Sequence, residues 1–168
     1  MKILATFDGT KASEATIPIL QRMAALPNAE FLLMRIAHEP SGRRMRGVRK
    51  TYTAVSGLVL TPAVVETPQA RYAETVDQAI DRVLRETEEY LSGIAAQLGG
   101  GAPVHVEAHI ADKPGEAIIE EARREEPAVI VMAMRGRSAI AKALFGSTTE
   151  QVLASGVAPV LVVHPPAE

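Results

Sequence analysis

Two short segments of the chain carry residue types that could bind a small anionic ligand. The first is Asp8-Gly9-Thr10, which directly follows an apolar run at the start of the sequence. The second extends from Ala133 to Thr148 and contains Gly136 and Gly146. Glycines let backbone N–H groups turn toward a common anion, and a helix that begins at Ser147 would add its free N–H groups and its dipole. The pattern indicates phosphate binding.

Each of these residues also has a purely structural interpretation, which the sequence leaves open. Asp8 is a residue type that forms turns and caps helices, and Ser147 is a typical N-cap. Arg135, Arg137 and Lys142 would add positive charge to a phosphate site, yet exposed loops often carry such residues. A role for Ser147 as a nucleophile is not favoured, because capping already explains it.

Five short runs of mostly apolar residues alternate with helical patterns along the chain. Such runs are typical of parallel strands that are covered on both faces. Four of the five fit this description and occupy residues 2–7, 30–37, 128–134 and 159–163, whereas residues 104–110 alternate apolar and polar side chains, which predicts an edge strand with one exposed face. The order predicts a doubly wound, Rossmann-like α/β fold in which residues 1–168 form a single domain. Both candidate segments follow strands, at the carboxyl edge where open α/β sheets bind their ligands.

The spacing of apolar residues predicts four helices. The first covers about residues 11–26 and contains Pro18, which should bend it unless an early turn absorbs the lost hydrogen bond. A long helix follows a capping box at Thr75, and glycines 99–101 end it. Asp112 with Pro114 starts the third helix, and a capping box at Ser147 opens the fourth. Residues 40–71 show no sustained pattern and are expected to form a long flexible connection.

Composition and charge exclude several classes of function. The 168 residues carry a net charge of −2, which provides no electrostatic basis for binding nucleic acid or an anionic membrane. The absence of cysteine excludes disulfides, thiolate catalysis and zinc ribbons. The N-terminal apolar run ends at Asp8 and is too short for a signal peptide, and no run approaches the ~20 residues of a membrane span. We therefore expect a cytoplasmic protein.

The four histidines and the absent motifs argue against metal-dependent or covalent catalysis. No HExxH spacing is present, so no metal site is predicted, and only His38 lies near the predicted crevice. The sequence contains neither a P-loop nor a G-x-G-x-x-G fingerprint, which argues against a Walker ATPase and an ordinary dehydrogenase. Kinase and G-x-S-x-G signatures are also absent. No catalytic residues are predicted.

Several dispersed motifs, in the same order, resemble those of the universal stress protein family. The loop after strand four reads Gly, two residues, Gly, nine residues, Gly and then Ser or Thr in that family. Here Ala133 stands at the first glycine, while Gly136, Gly146 and Ser147 match the rest. The resemblance extends through ILATFDGT, FLLMRIA, KPGEAIIEEA and APVLVV, so that it covers nearly all of the chain outside residues 40–71.

The resemblance implies a five-stranded parallel sheet of order 3-2-1-4-5 with helices on both faces. It also implies that the protein binds an adenine nucleotide, ATP, with Mg²⁺ as a companion of the phosphates and little or no turnover. In nucleotide-binding members the aspartate and an apolar residue of strand two hold the base, and the glycine loop holds the phosphates. The predicted binding residues are Asp8, Gly9, Thr10, Ile36, Ala133, Arg135, Gly136, Arg137, Gly146, Ser147 and Thr148.

The resemblance further implies a homodimer joined through the terminal strand, Val160–Val163, which would be an unprotected sheet edge in this order. Two alternatives to the nucleotide-binding hypothesis stay open. The first is a dimeric stress-response scaffold that binds no nucleotide and acts through protein partners, with Ala133 marking the loss of the site. The second, less favoured, is a slow nucleotide hydrolase.

Overall fold

The computed structural model describes residues 1–38, 76–99, 101–134 and 146–165. Five strands form one sheet in which every neighbouring pair is parallel, in the order β3-β2-β1-β4-β5. The strands are β1 (Lys2–Phe7), β2 (Glu30–Ala37), β3 (Val104–Ile110), β4 (Val129–Ala133) and β5 (Val160–Val163). The predicted doubly wound sheet and its order are therefore confirmed.

Five helices connect these strands within the described residues. They are α1 (Lys11–Glu14), α2 (Ile17–Met23), α3 (Val76–Leu98), α4 (Pro114–Glu125) and α5 (Ser147–Ser155). The long helix ends at Leu98, just before the predicted glycine stop, and Gly99 has a φ of 63°. Both Thr75 and the connection at 40–71 lie outside the described residues.

The prediction of one continuous helix over residues 11–26 is wrong. The chain forms α1 and α2 instead, and Pro18 stands in the first turn of α2, where a missing N–H costs no helical hydrogen bond. The Thr16 hydroxyl donates to the carbonyl of Ser13 at 2.8 Å, which links the two short helices. The position of the proline therefore decides where the second helix begins.

Two predicted helix starts are also wrong by one residue. Lys113, not Asp112, is the N-cap of α4. Gly146 is the N-cap of α5, with extended backbone and no side-chain hydrogen bond, and its carbonyl accepts the N–H of Glu150 at 2.9 Å. Ser147 is therefore the first residue inside α5, and the predicted capping box does not form there.

Two apolar clusters hold helices against opposite faces of the sheet. On one face, Leu33 and Val131 pack with Leu91 and other residues of α2 and α3. On the other face, Met34 and Ile130 pack with residues of α4 and α5. This double coverage explains why β1, β2 and β4 read as continuous apolar runs. Within the described ranges, no helix combines the length and apolar character that a membrane span needs.

A buried carboxylate joins α4 to the edge strand β3. The Glu121 side chain is 4% exposed, and it accepts a hydrogen bond from Arg124 at 2.6 Å. The same guanidinium donates to both carboxylate oxygens of Glu107, at 2.8 and 3.0 Å. Burial, followed by the negative charge of Glu107, raises the pKa of Glu121 above its ordinary value. Arg124 thus holds together two carboxylates that would otherwise repel each other.

We expect Arg124→Met to destabilise the fold, and more so at pH 8 than at pH 5. A carboxyl group whose pKa is raised by folding binds more protons in the native state, so its ionisation lowers stability as the pH rises above about 4.5. Removing Arg124 raises that pKa further, which enlarges the effect. Urea unfolding of the wild type, Arg124→Met and Arg124→Lys at both pH values measures it. If Arg124→Met lowered the free energy of unfolding equally at the two pH values, the ion-pair network would not have the expected effect on the ionisation of Glu121.

Candidate functional site

A cleft of about 310 Å³ opens at the carboxyl edge of the sheet, where β1 and β4 end side by side. Its walls come from the ends of β1, β2 and β4 and from the first turns of α1, α4 and α5. The size is at the lower end of the range for small-molecule sites. Of the predicted binding residues, those that line the cleft are Asp8, Ile36, Ala133, Gly146, Ser147 and Thr148.

The turn after β1 is built around the Asp8 carboxylate. Its Oδ1 accepts hydrogen bonds from the Thr10 N–H at 2.9 Å and from the Thr10 hydroxyl at 2.6 Å. Gly9 between them has a φ of 80°, a conformation that L side chains rarely adopt. The Thr10 hydroxyl in turn accepts the N–H of Ser13 and caps α1. Asp8 therefore forms the turn and also lines the cleft, whereas Gly9 and Thr10 shape the turn without lining the cleft.

The opposite end of the cleft is the N-terminus of α5. The first hydrogen bond inside this helix runs from the N–H of Glu150 to Gly146, so the N–H groups of the preceding residues have no acceptor within the helix. Ser147 and Thr148 carry two of these N–H groups, and both residues line the cleft. This end of the cleft suits an anionic group. Three predicted residues, Arg135, Gly136 and Arg137, lie outside the described residues.

An apolar wall connects the two ends of the cleft. Ile36 is half-buried at the end of β2, and the buried side chains of Met34, Ile118 and Met132 continue the surface across the sheet. Pro114, at the start of α4, closes the wall on one side. A flat apolar ring can bury its face here while a charged group on the same ligand reaches α5.

Sequence reasoning missed Arg35, a half-buried residue of β2 that lines the cleft. Its guanidinium carbon lies 4.8 Å from the centre of the Tyr90 ring, and its Nε is buried with no hydrogen-bond acceptor among the described residues. Tyr90 donates to the carboxylate of Glu14 at 3.2 Å, and burial is the main cause that raises its pKa to about 12. The only signal in the sequence was a charge inside the apolar run FLLMRIA.

Histidines contribute to two separate places in the structure. His38 lines the cleft, as its position after strand two predicted. The side chains of His109, Glu107 and Glu121 form a cluster. The nitrogen and oxygen atoms through which they could bind a metal ion lie within 4.8 Å of one another. Because Arg124 already donates to both carboxylates, this group of side chains is an ion-pair network.

Comparison with known proteins decides the family. The model of the universal stress protein family matches residues 1–164. The chain belongs to the universal stress protein family. A search of curated proteins returned no significant match.

Several solved structures, two of them of universal stress proteins, share the fold of this member of the family at low sequence identity. The hypothetical protein MJ0577 is 20% identical with a TM-score of 0.71, and the alignment covers 99% of this chain and 97% of that one. A universal stress protein in complex with cAMP is 18% identical with a TM-score of 0.59, over 98% and 96% of the two chains. UspA from Lactobacillus plantarum is 18% identical with a TM-score of 0.56, over 97% of each chain.

Proposed function

We propose that this universal stress protein binds ATP in the cleft between β1 and β4 and acts as a stress-response regulator. The observation that carries the proposal is the meeting of three features in one cleft: the Asp8 turn, the apolar wall at Ile36 and the free N–H groups at Ser147. A nucleotide has a matching order of parts, with a flat base at one end and phosphates at the other. The cAMP complex of another universal stress protein supports a nucleotide ligand.

In this proposal the two ends of the cleft have different tasks. The base lies against Ile36, and Asp8 accepts hydrogen bonds from the amino group of adenine or from the ribose. The phosphates lie at Ser147 and Thr148, where the N–H groups and the helix dipole stabilise negative charge. Arg135, Gly136 and Arg137 are proposed to complete the phosphate site. Mg²⁺ is bound through the phosphates and water, as is usual for this ion.

Calorimetric titration of ATP·Mg²⁺ into protein freed of bound nucleotide tests the proposal. We expect saturable heat with a Kd in the micromolar range. Adenosine should bind more weakly, because it lacks the phosphates that interact with the N-terminus of α5. Tripolyphosphate serves as the control for an anion without a base. No heat at millimolar ATP would reject the proposal, and equal affinity for adenosine would reject the phosphate site at α5.

We further propose that the bound nucleotide is turned over slowly or not at all, and that the protein is cytoplasmic and forms one domain over residues 1–168. The polar groups that face the cleft in the described residues are suited to positioning a ligand. Multiple-turnover release of phosphate that disappears in Asp8→Ala would instead support the hydrolase alternative.

A dimeric scaffold without nucleotide is the second candidate, and Ala133 favours it. This residue ends β4 and lines the cleft at the point where the family resemblance implies a glycine. Its methyl group narrows the space open to a phosphate. The absorbance ratio of purified protein distinguishes the two candidates well, because the chain has no Trp and only three Tyr. Bound nucleotide raises the absorbance at 260 nm, and a ratio typical of protein alone in every preparation favours the scaffold.

We propose that the homodimer forms through the open edge of β5, and we expect Val162→Pro to yield a monomer. The carbonyls of Pro159 and Val163 accept the N–H groups of Ile130 in β4 and of Met134 directly after it, so the backbone alternation directs the N–H of Val162 to the open edge. Proline removes that N–H without breaking the pairing with β4.

Sedimentation velocity measures the oligomeric state, and circular dichroism confirms that Val162→Pro still folds. Val162→Ala is the matched control, because it shortens the same side chain and keeps the N–H. Should Val162→Pro remain a dimer, the interface lies elsewhere on the molecule.

A further inference from the structure

The guanidinium of Arg35 lies close to both the Tyr90 ring and the turn after β1. Its Cζ is 4.8 Å from the ring centre. The turn after β1 also lies against the guanidinium, because a Cβ at Gly9 would lie 2.5 Å from Nη2 and 2.7 Å from Cζ of Arg35. Real Cβ atoms do not approach other atoms this closely. The absence of a side chain at Gly9, together with its φ of 80°, therefore allows the backbone of the turn to rest on the guanidinium.

Tyr90 also links both elements that flank this turn. Its ring packs edge-to-face against Phe7, the last residue of β1, with 6.5 Å between ring centres. Its hydroxyl donates to Glu14 in α1, the helix that begins directly after the turn. The strand before the turn, the helix after it and the guanidinium beside it thus all contact one aromatic side chain on α3.

Within the part of the chain that the structure describes, Arg35 is held by its cation–π contact with Tyr90 and not by an opposite charge. Among the described residues no carboxylate lies within ion-pair distance of its guanidinium, and its Nε donates no hydrogen bond. A planar guanidinium is attracted to the face of an aromatic ring and can stack on it. Lysine could supply the same charge at this position, but it has no flat group on which the Gly9 backbone could rest.

We propose that Arg35 is a positioning residue of the cleft: stacked on Tyr90, it fixes the Gly9 turn and so the place of the Asp8 carboxylate. The inference rests on the proposed function, because Asp8 is the group that meets the base end of the nucleotide. It adds a residue that sequence motifs do not mark and makes α3 part of the support of the site. Its consequence is that loss of the stack weakens the binding of the base and leaves the phosphate site unchanged.

Five variants test this assignment. Arg35→Met and Arg35→Lys remove the flat cation, Tyr90→Leu removes the ring, and Tyr90→Phe keeps the ring but removes the hydroxyl. Arg85→Met, which removes an exposed arginine from α3, is the matched control. Adenosine and ATP·Mg²⁺ are titrated into each variant by calorimetry. The amide resonances and hydrogen exchange of Gly9 and Thr10 are followed by NMR in the ligand-free proteins.

We expect Arg35→Met, Arg35→Lys and Tyr90→Leu to weaken the binding of adenosine and of ATP by the same factor, about five- to tenfold. Arg85→Met should stay within about twofold of the wild type, and Tyr90→Phe should lose less affinity than Tyr90→Leu, because it keeps the ring and loses only the hydrogen bond to Glu14. The Gly9 and Thr10 amides should shift and exchange faster in the first three variants and stay unchanged in Arg85→Met. A role limited to overall stability would instead change exchange throughout the sheet.

Two results would overturn the assignment. Unchanged affinity and unchanged Gly9 and Thr10 amides in Arg35→Met would show that the turn does not depend on the guanidinium. A much larger loss for ATP than for adenosine would show that Arg35 contacts the phosphates directly. If the wild type binds no nucleotide, the proposed function fails separately, and the Gly9 and Thr10 amides alone decide whether Arg35 positions the turn.

Discussion

Ser147→Glu should weaken ATP binding by at least about 100-fold and leave the stability of the fold unchanged or slightly raised. The residue is exposed and is the first inside α5, where a negative side chain interacts favourably with the helix dipole. The same charge repels bound phosphates. A like charge about 4 Å away costs about 4 kcal/mol near a protein surface, which corresponds to roughly a thousandfold in affinity before screening by salt.

The opposite directions of these two effects make this variant informative. Calorimetry with ATP·Mg²⁺ measures the affinity, and thermal unfolding measures the stability of the same sample. Ser147→Gln is the control, because glutamine has nearly the same size as glutamate but no charge. Its affinity for ATP should lie within about tenfold of that of the wild type. If Ser147→Glu binds ATP as tightly as Ser147→Gln does, the phosphates do not lie at α5.

Leu33→Ala should cost about 2–5 kcal/mol of the free energy of unfolding. Leu33 has no exposed surface, and it lies in β2 between β1 and β3 with its side chain in the cluster under α2 and α3. Because β2 is hydrogen-bonded to a strand on each side, its backbone cannot move into the space that the side chain leaves. Since natural domains are stable by about 5–15 kcal/mol, this single change removes a large fraction of the total.

Urea unfolding measures the free energy of unfolding of Leu33→Ala and of the control Leu153→Ala. Leu153 is 38% exposed in α5, where alanine is a good helix former, so Leu153→Ala should lower the free energy of unfolding by less than about 1 kcal/mol. Similar losses in the two variants would mean that the cluster under α2 and α3 is not the main source of stability.

The strands could be predicted from the sequence because one physical condition fixes their character. A parallel strand covered by helices on both faces must be apolar at nearly every position, and β1, β2 and β4 meet this condition. Their order required the family resemblance, since apolar runs carry no information about which strands are neighbours. The helix starts near Thr16, Lys113 and Gly146 were misplaced because backbone conformation, and not residue type alone, decides which residue caps a helix.

The candidate site could be predicted only in part, and for a different reason. Asp8 and Ser147 stand directly after a strand and at a helix start, so their meeting at the carboxyl edge follows once the strand order is known. Arg35 and Tyr90 are far apart in the sequence and belong to no motif. Their stacking depends on how α3 packs against β2, which is a property of the folded chain. Side chains that support a site are harder to find than those that line it.

A crystal structure of the protein soaked with ATP·Mg²⁺ shows at once whether a nucleotide occupies the cleft and where its parts lie. We expect density for the base against Ile36 near Asp8 and for the phosphates at the N–H groups of Ser147 and Thr148, with the Ala133 methyl touching the phosphates without displacing them. An empty cleft at saturating ATP, a nucleotide bound elsewhere, or the Ala133 methyl occupying the phosphate position would contradict the proposed function.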